Sequence, residues 1–289
     1  MLFDPWLYVA LGLGLVVGRL SPRPSAWSGP AALATVGALV FLIGVDLGEV
    51  RGLDPLRAVP GAIVLAALLV LFTLAAVVLL RGDRPPPARS VPLTAPRAIW
   101  TGPVLLVVMG VGLGLGRWVT VSVAWTIDPV LALLLFFVGL GVVPSWTALR
   151  AAWVPIVGAV AGATVAGLLF AALAHWTPGL GLAASYAFGW YSLVGPLMTT
   201  RAGALVGLTA FLANFFRENL TMVCAPLLGP SVGGEGIAAV GGATSLDTTL
   251  YFSTRFGGRS GGTLGLATGL VLTLAAAVVV PALLSLPPP

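Results

Sequence analysis

Three acidic residues lie in or beside long apolar stretches, where a charged side chain needs a functional or structural reason. Asp46 lies in FLIGVDLGEV, Glu218 in FLANFFRENL and Asp247 in GGATSLDTTL. A charged side chain at the centre of a membrane helix costs about 2.5–3.5 kcal/mol on insertion scales. Intramembrane carboxylates hold cations or carry protons, so these three residues are the first candidates for a transport site.

Residues 211–220 place two further polar side chains beside Glu218. Asn214 and Glu218 are spaced i,i+4 and share a helix face, so we expect both to line a polar pathway. Arg217 is adjacent to Glu218 and points about 100° away from it around the helix. Within this group of candidate pathway residues, we expect Arg217 to serve as an interhelical clamp that pairs with a carboxylate elsewhere.

A segment rich in glycine and aromatic residues precedes this helix, AFGWYSLVGPLMTTR at 187–201. Its helix is expected to break at residues that disfavour regular helical geometry: Gly189, Gly195 and Pro196. The side chains expected at the break are Trp190, Tyr191 and Ser192. They would offer hydrogen bonds and an aromatic face to an organic cation. The alternative is an aromatic belt at the membrane surface.

The segment GGATSLDTTLYFSTR, residues 241–255, concentrates glycines and hydroxyl side chains around Asp247. Glycines allow the backbone to unwind, so Thr244, Ser245 and freed carbonyls would be able to coordinate a cation or an ammonium group. The alternative is an ordinary exposed loop, which the apolar residues that follow disfavour. For Asp46 the alternative is a place at the outer water interface, although flanking glycines would allow close approach of a solute.

The chain around these residues is that of an all-α integral membrane protein. Of its 289 residues, 58% are hydrophobic and 8% charged, whereas soluble domains carry about 25% charged residues. The apolar runs are continuous rather than alternating, which favours helices over a barrel. Ten segments are apolar enough to be membrane elements: about 5–20, 30–48, 58–80, 98–117, 128–147, 153–174, 180–200, 202–229, 236–254 and 261–286.

We expect eight to ten crossings, because 180–200 and 236–254 are polar and glycine-rich and are expected to be broken or re-entrant helices. Residues 1–289 are treated as a single transporter domain. Its mostly apolar scaffold would be 1–176, and its polar site would lie in 177–289. The distribution of arginines among the loops favours an N-terminus on the outer side of the cytoplasmic membrane.

Three pairs of similar stretches, offset by 93 to 98 residues, indicate inverted copies of three helices each. The pairs are LVVGRL (15–20) with LGLGRW (113–118), LVFLIGVD (39–46) with LLFFVGLG (134–141), and LRAVPGAIV (56–64) with LRAAWVPIV (149–157). The alternative is a chance match of runs of leucine, glycine and valine. Asp46 has Gly141 as its counterpart, so the acid is not part of the shared scaffold.

Composition also excludes several classes of function. The single Cys224 and the single His175 rule out an internal disulfide and a histidine metal cluster. No DDxxD or HExxH motif occurs, so we expect no enzyme activity, metal or resident cofactor. The net charge of +5 is spread over short loops and indicates membrane topology rather than nucleic-acid binding.

The candidate site is net acidic, with Asp46, Glu218 and Asp247 against Arg217, which favours a cationic cargo. A sodium-coupled symporter of a small organic solute is the alternative, because broken helices with threonine, serine and aspartate also suit sodium. Membrane lipid is the expected surrounding partner. The sequence leaves the oligomeric state open.

Three of these stretches carry a family resemblance. FGWYSLVG (188–195), FLANFFRENL (211–220) and GGATSLDTTL (241–250) resemble signature segments of the bacterial lysine exporter (LysO) family, in the family's order and spacing. The resemblance covers residues 185–285 well, and the N-terminal half is similar mainly in hydropathy.

The resemblance implies an inner-membrane exporter of L-lysine, with lysine analogues as further cargo and with coupling to proton entry. It also implies that intramembrane acids are the functional groups, which by matching motif are Glu218 and Asp247, and with a weaker match Asp46. The stretch LDTTLYF after Ser245 departs from the family pattern. This departure leaves arginine and ornithine as alternative cargo.

Overall fold

The computed structural model describes residues 5–20, 28–49, 55–82, 96–118, 124–141, 146–257 and 261–285. These parts of the chain contain helices and turns and no strand. The α-helices are α1 Pro5–Leu20, α2 Ser28–Glu49, α3 Pro55–Arg81, α4 Pro96–Gly116, α5 Ala124–Gly141, α6 Trp146–Ala151, α7 Trp153–Ala174, α8 Pro178–Ser185, α9 Tyr191–Ala202, α10 Ala204–Gly241, α11 Leu250–Phe256 and α12 Gly261–Ser285. A 3₁₀ helix, Gly242–Leu246, joins α10 towards α11.

The ten predicted apolar segments each correspond to helix in the described part of the chain, which confirms an all-α membrane protein. A bilayer core offers no water to backbone groups, so an apolar chain satisfies them within helices. By length and composition, helices at Arg57–Arg81, Trp146–Ala174, Ala204–Leu246 and Gly261–Ser285 can cross a membrane. The chain is therefore a multi-pass membrane protein.

Helix α7 packs against α3 through a face of small residues. A Cβ placed on Gly158 would overlap Val77, and one placed on Gly162 would overlap the backbone of Thr73. The later residue of α7, Gly162, contacts the earlier residue of α3, Thr73, so the two helices are antiparallel. Small residues let membrane helices approach closely enough for backbone contact, which replaces the hydrophobic driving force that lipid cannot supply.

The N-terminal helices pack in a way that supports the predicted inverted repeat. Gly14 of α1 lies against the carbonyl of Phe136 in α5, and Gly112 of α4 lies against the carbonyl of Phe41 in α2. Gly112 follows Gly14 by 98 positions, and Phe136 follows Phe41 by 95. In the predicted repeat, α1 corresponds to α4 and α2 corresponds to α5. The contact of α1 with α5 is therefore equivalent to the contact of α4 with α2, as expected for two copies related by a pseudo-two-fold axis.

Helices α8 and α9 form a re-entrant hairpin, residues 178–202, called here the first hairpin. Gly61 of α3 contacts both Phe170, near the end of α7, and Thr209, near the start of α10. The end of α7, where the hairpin begins, and the start of α10, where it ends, therefore lie at the same end of the bundle. The eight-residue α8 is about 12 Å long, less than half of a bilayer core of about 30 Å.

Helix α10 contains a sharp break at Gly233, whose φ of 68° and ψ of −171° are not helical. The positive φ is a conformation that glycine adopts without steric cost. Arg217 reaches the carbonyl of Val240, which is 23 positions further along the chain. In a straight helix these residues would be about 34 Å apart, so the chain folds back after the break.

The returning part of α10, together with the 3₁₀ helix and α11, forms the second hairpin, residues 234–257. Gly234 lies against Gly257, and Gly241 lies against Thr249, so its two helical arms are antiparallel. Arg81, at the end of α3, donates to the carbonyl of Val232 at 3.2 Å. Since Gly61 and Arg81 are at opposite ends of α3, the two hairpins enter the bundle from opposite ends.

The expectation that 180–200 and 236–254 are broken or re-entrant is thus confirmed in its re-entrant form. One detail of the first segment is wrong. The break falls at residues 186–190, which include Gly189, whereas Gly195 and Pro196 lie inside α9. A Cβ on Gly195 would lie 2.9 Å from the Phe211 ring, so this glycine makes room for a neighbouring helix. Its role is close packing rather than interruption of α9.

Candidate functional site

The tips of the two hairpins meet inside the bundle. The tip of the first hairpin is 186–190, and the tip of the second is 242–249. The backbone N–H of Ala243 donates to the carbonyl of Phe188 at 2.8 Å. Phe188 has a φ of 51°, an uncommon value for a bulky residue. Unwound backbone at this depth is tolerated because it is enclosed by protein, and such places serve as binding sites in transporters.

Asn214 of α10 fixes the tip of the first hairpin. Its Oδ1 accepts from the N–H of Gly189 at 2.9 Å, and its Nδ2 donates to the carbonyl of Ala184 at 2.8 Å and to that of Ala210 at 3.0 Å. The side chain is fully buried. All three hydrogen bonds go to backbone groups, so the structure places Asn214 as an anchor for the tip, whereas the sequence predicts that it lines a pathway.

We expect Asn214→Ala to lower the free energy of unfolding by about 2–4 kcal/mol, because it leaves two buried backbone groups of the first hairpin without partners. Asn219→Ala is the matched control, since among the described residues the Asn219 amide donates to the carbonyl of Phe215 in its own helix and to no other group. The control should cost about 1 kcal/mol or less. Thermal unfolding of both variants in detergent measures the difference, and equal losses would contradict the anchoring role.

Arg217 binds the second hairpin, but not through a carboxylate. Its Nε donates to the carbonyl of Val240 at 2.8 Å and its Nη2 donates to that of Ala239 at 3.1 Å. Its guanidinium lies 6.0 Å from the centre of the Phe188 ring. The predicted clamp is therefore present, whereas its predicted carboxylate partner is wrong within the described residues. The carbonyls at the C-terminal end of a helix carry partial negative charge and suit a cation.

Glu218 is the buried acid of this junction. It is 2% exposed, and among the described residues neither carboxylate oxygen has a hydrogen bond of good geometry. The Thr248 hydroxyl, which donates to Asp247, is close enough to act on Glu218 as well. Asp247 is close enough for its charge to act on Glu218. The Asp247 side chain is half-buried and accepts from the N–H and the hydroxyl of Thr248 at one oxygen. In the structure Glu218 and Asp247 therefore lie close to each other, and Asp247 is more exposed to solvent than Glu218.

The hydroxyl residues of the second tip satisfy one another and the end of α10. Thr244 donates to the carbonyl of Gly241 at 2.9 Å, and Ser245 donates to that of Ala238 at 2.8 Å. The Thr249 hydroxyl lies 3.3 Å from that of Thr244 and 3.4 Å from that of Ser245. These hydroxyl groups form hydrogen bonds with the carbonyls at the end of α10 and with one another, so their role is largely structural.

The aromatic candidates lie at the break, as predicted. Trp190 precedes α9, and Tyr191 is its first residue. The Tyr191 ring packs edge-on against Phe211 and Phe215, at 5.2 and 5.7 Å between ring centres. The side chains of Ser192 and Asp46 lie outside the described part of the structure. The backbone of Asp46 belongs to α2.

Sequence reasoning misses the backbone partners of this site, namely the carbonyls of Ala239 and Val240 and the carbonyl of Phe188. The pattern of side chains in a sequence does not predict which backbone carbonyls will face a site. The signal that was available is the pair of glycines at 233–234 followed by a second pair at 241–242, because glycine pairs permit a reversal and an unwound tip.

A comparison with protein families places the site in a known context. The model of the family described as lysine exporter LysO matches residues 104–284. That range contains both hairpins, α10 and most of α12. No solved structure matches the chain.

Two relatives are similar over half of this chain. The lysine exporter LysO of Escherichia coli (strain K12) is 32% identical over 152 residues, which are 50% of this chain and 50% of that protein. The putative lysine exporter of Haemophilus influenzae (strain ATCC 51907 / DSM 11121 / KW20 / Rd) is 30% identical over 151 residues, 50% of this chain and 77% of that protein. The match therefore spans about half the length of the first of these relatives. Because the family model covers more than half of the sequence, the chain belongs to the lysine exporter LysO family.

Proposed function

We propose that this protein exports L-lysine from the cytoplasm across the inner membrane in exchange for protons. The observation that carries the proposal is the Glu218 carboxyl group, which is buried beside Asp247 at the meeting point of two re-entrant hairpins and has no cationic partner among the described residues. The names of the family and of the two relatives support lysine as the cargo.

The exchange follows from what a buried carboxyl group tolerates. An unpaired carboxylate away from water is very costly, so the group must either carry a proton or hold a cation. At Glu218 and Asp247, an ammonium group and a proton therefore exclude each other. Cargo would bind from the cytoplasm to deprotonated acids, and protons entering from outside would displace it. The outer position of the N-terminus and the placement in the cytoplasmic membrane are part of this proposal.

Sodium coupling has less support at the second tip. The hydroxyl groups of Thr244 and Ser245, whose oxygens would coordinate sodium, are held in a hydrogen-bonded cluster with the carbonyls of Gly241 and Ala238 and the hydroxyl of Thr249. Those carbonyls are also the oxygens that an unwound helix end would offer to an ion. The cargo alternatives arginine and ornithine differ from lysine in the reach or shape of the distal cation, which the same acid pair would tolerate.

Counterflow in proteoliposomes tests the proposal. Purified protein is reconstituted, and vesicles are preloaded with unlabelled lysine, arginine, ornithine or alanine before radiolabelled L-lysine is added outside, with and without sodium. Internal lysine should drive uptake without sodium, and alanine should not. An acidic outside should then drive net export of lysine. The absence of exchange with every cationic amino acid, by protein shown to be folded, would contradict the proposal.

A further inference from the structure

The guanidinium of Arg217 is only partly satisfied. Its Nε and Nη2 donate to the carbonyls of Val240 and Ala239, whereas its Nη1 is buried and has no hydrogen-bond partner in the part of the chain that the structure describes. The side chain has no solvent exposure. Within the described residues it forms no ion pair. A cation that remains charged in every protein environment is therefore enclosed with one of its three nitrogens, Nη1, unused.

A purely structural role as a clamp does not explain the unused Nη1 of Arg217. Two carbonyls hold the second hairpin, and a guanidinium has five N–H donors arranged as a planar fork that matches a carboxylate. Buried polar groups of native proteins are satisfied in the great majority, so an unused one needs a specific explanation. A ligand that brings a negative charge would both satisfy Nη1 and balance the buried cation.

We propose that Nη1 of Arg217 is the subsite for the α-carboxylate of an amino-acid cargo. This inference rests on the proposed function and names a part of its site. An α-amino acid carries its ammonium and its carboxylate on the same carbon, so its site needs an anionic and a cationic group side by side. Arg217 and Glu218 leave α10 about 100° apart, but both reach the second hairpin near its tip and so supply that pair. Asp247, close to Glu218, is then available for the distal ammonium group.

The subsite is covered when the two tips are in contact. The Phe188 ring lies beside the guanidinium, and the carbonyl of Phe188 accepts from Ala243. Cargo reaches Nη1 when the hairpins separate and this hydrogen bond opens. Because Nε and Nη2 hold the second hairpin, a carboxylate on Nη1 ties cargo occupancy to the position of that hairpin.

Competition in the unaltered protein tests the subsite first. Uptake of radiolabelled lysine by counterflow is inhibited with lysine, with lysinamide, in which an amide replaces the carboxylate, and with 1,5-diaminopentane, which has no carboxylate. Loss of a hydrogen bond to a charged group weakens binding by about 10- to 100-fold. Both analogues should therefore inhibit about 10- to 100-fold less well than lysine. Equal inhibition by all three would overturn the subsite and leave lysine transport itself untouched.

Substitution then assigns the effect to Arg217. In Arg217→Gln, lysine should inhibit about 10- to 100-fold less well, while 1,5-diaminopentane should change by less than about threefold. Arg217→Lys, which keeps the charge and loses the fork, should retain part of the preference for lysine over lysinamide. Equal weakening of lysine and 1,5-diaminopentane in both variants would show that Arg217 only holds the hairpin. If Arg217→Gln does not fold, Arg217→Lys and the competition in the unaltered protein decide.

Discussion

Asp247→Asn should reduce lysine counterflow by about 10- to 150-fold. The substitution preserves size and the hydrogen bonds from Thr248 at one oxygen, but it removes the negative charge that would hold an ammonium group and the site that would take a proton. Hydrogen bonds to charged groups contribute about 1.5–3 kcal/mol each, which corresponds to a factor of about 10 to 150. Glu218→Gln should have a similar effect, because in the proposed mechanism both acids bind the same cargo.

Glu235→Gln is the matched control for this change. Glu235 lies on the same hairpin, at the start of its first arm and away from the tip. The substitution removes one carboxylate charge in the same way but away from the two tips, so counterflow should stay within about a factor of two of the unaltered protein. Normal exchange by folded Asp247→Asn protein would show that Asp247 does not bind the cargo.

Gly242→Ala should separate the two tips and destabilise the protein by about 3 kcal/mol or more. Gly242 has a φ of 65°, which costs a residue with a Cβ about 1–2 kcal/mol. The added Cβ would also overlap the carbonyl oxygen of Phe188 and lie 3.0 Å from Nη2 of Arg217. Overpacking of this kind costs about 1–3 kcal/mol. The hydrogen bond between Ala243 and Phe188 would break, and transport should fail with it.

Gly82→Ala separates the cost of the backbone conformation from the cost of the collision. Gly82 has a φ of 59°, and a Cβ there would meet nothing within 4 Å. Its substitution should cost only about 1–2 kcal/mol and should leave counterflow intact. Thermal unfolding in detergent and counterflow in vesicles measure the two effects. Equal destabilisation by the two alanines would mean that the tips are not in the contact described above.

The elements of this fold could be predicted from the sequence, and their arrangement only in part. Continuous apolar runs define helices because a bilayer permits little else, and the predicted segment 202–229 corresponds to the first part of α10 with Glu218 near its middle. The direction of a hairpin is a long-range property. It depends on which end of α3 residues 178 and 202 lie near, and a local sequence pattern does not predict that position.

The sequence predicts the site as a set of side chains, whereas the framework of the site in the structure is largely backbone. Glu218 and Asp247 do lie together, whereas Arg217 and Asn214 bind carbonyls and an N–H group of the tips rather than other side chains. A carbonyl becomes a partner only when its helix ends near the side chain. The end of α10 comes near Arg217 because the chain reverses at Gly233, so the partner of Arg217 follows from tertiary structure.

The meeting of two half-length hairpins also determines where the membrane voltage acts. Each first arm is eight residues or about 12 Å long, so two short elements from opposite ends replace one full crossing. When solvent follows each hairpin inwards, most of the electrical potential falls across the thin layer where the tips touch. Moving one elementary charge through 100 mV involves about 2.3 kcal/mol. A cationic cargo would therefore exchange energy with the membrane potential during a displacement of a few ångströms at the tips, rather than along the whole thickness of the bilayer.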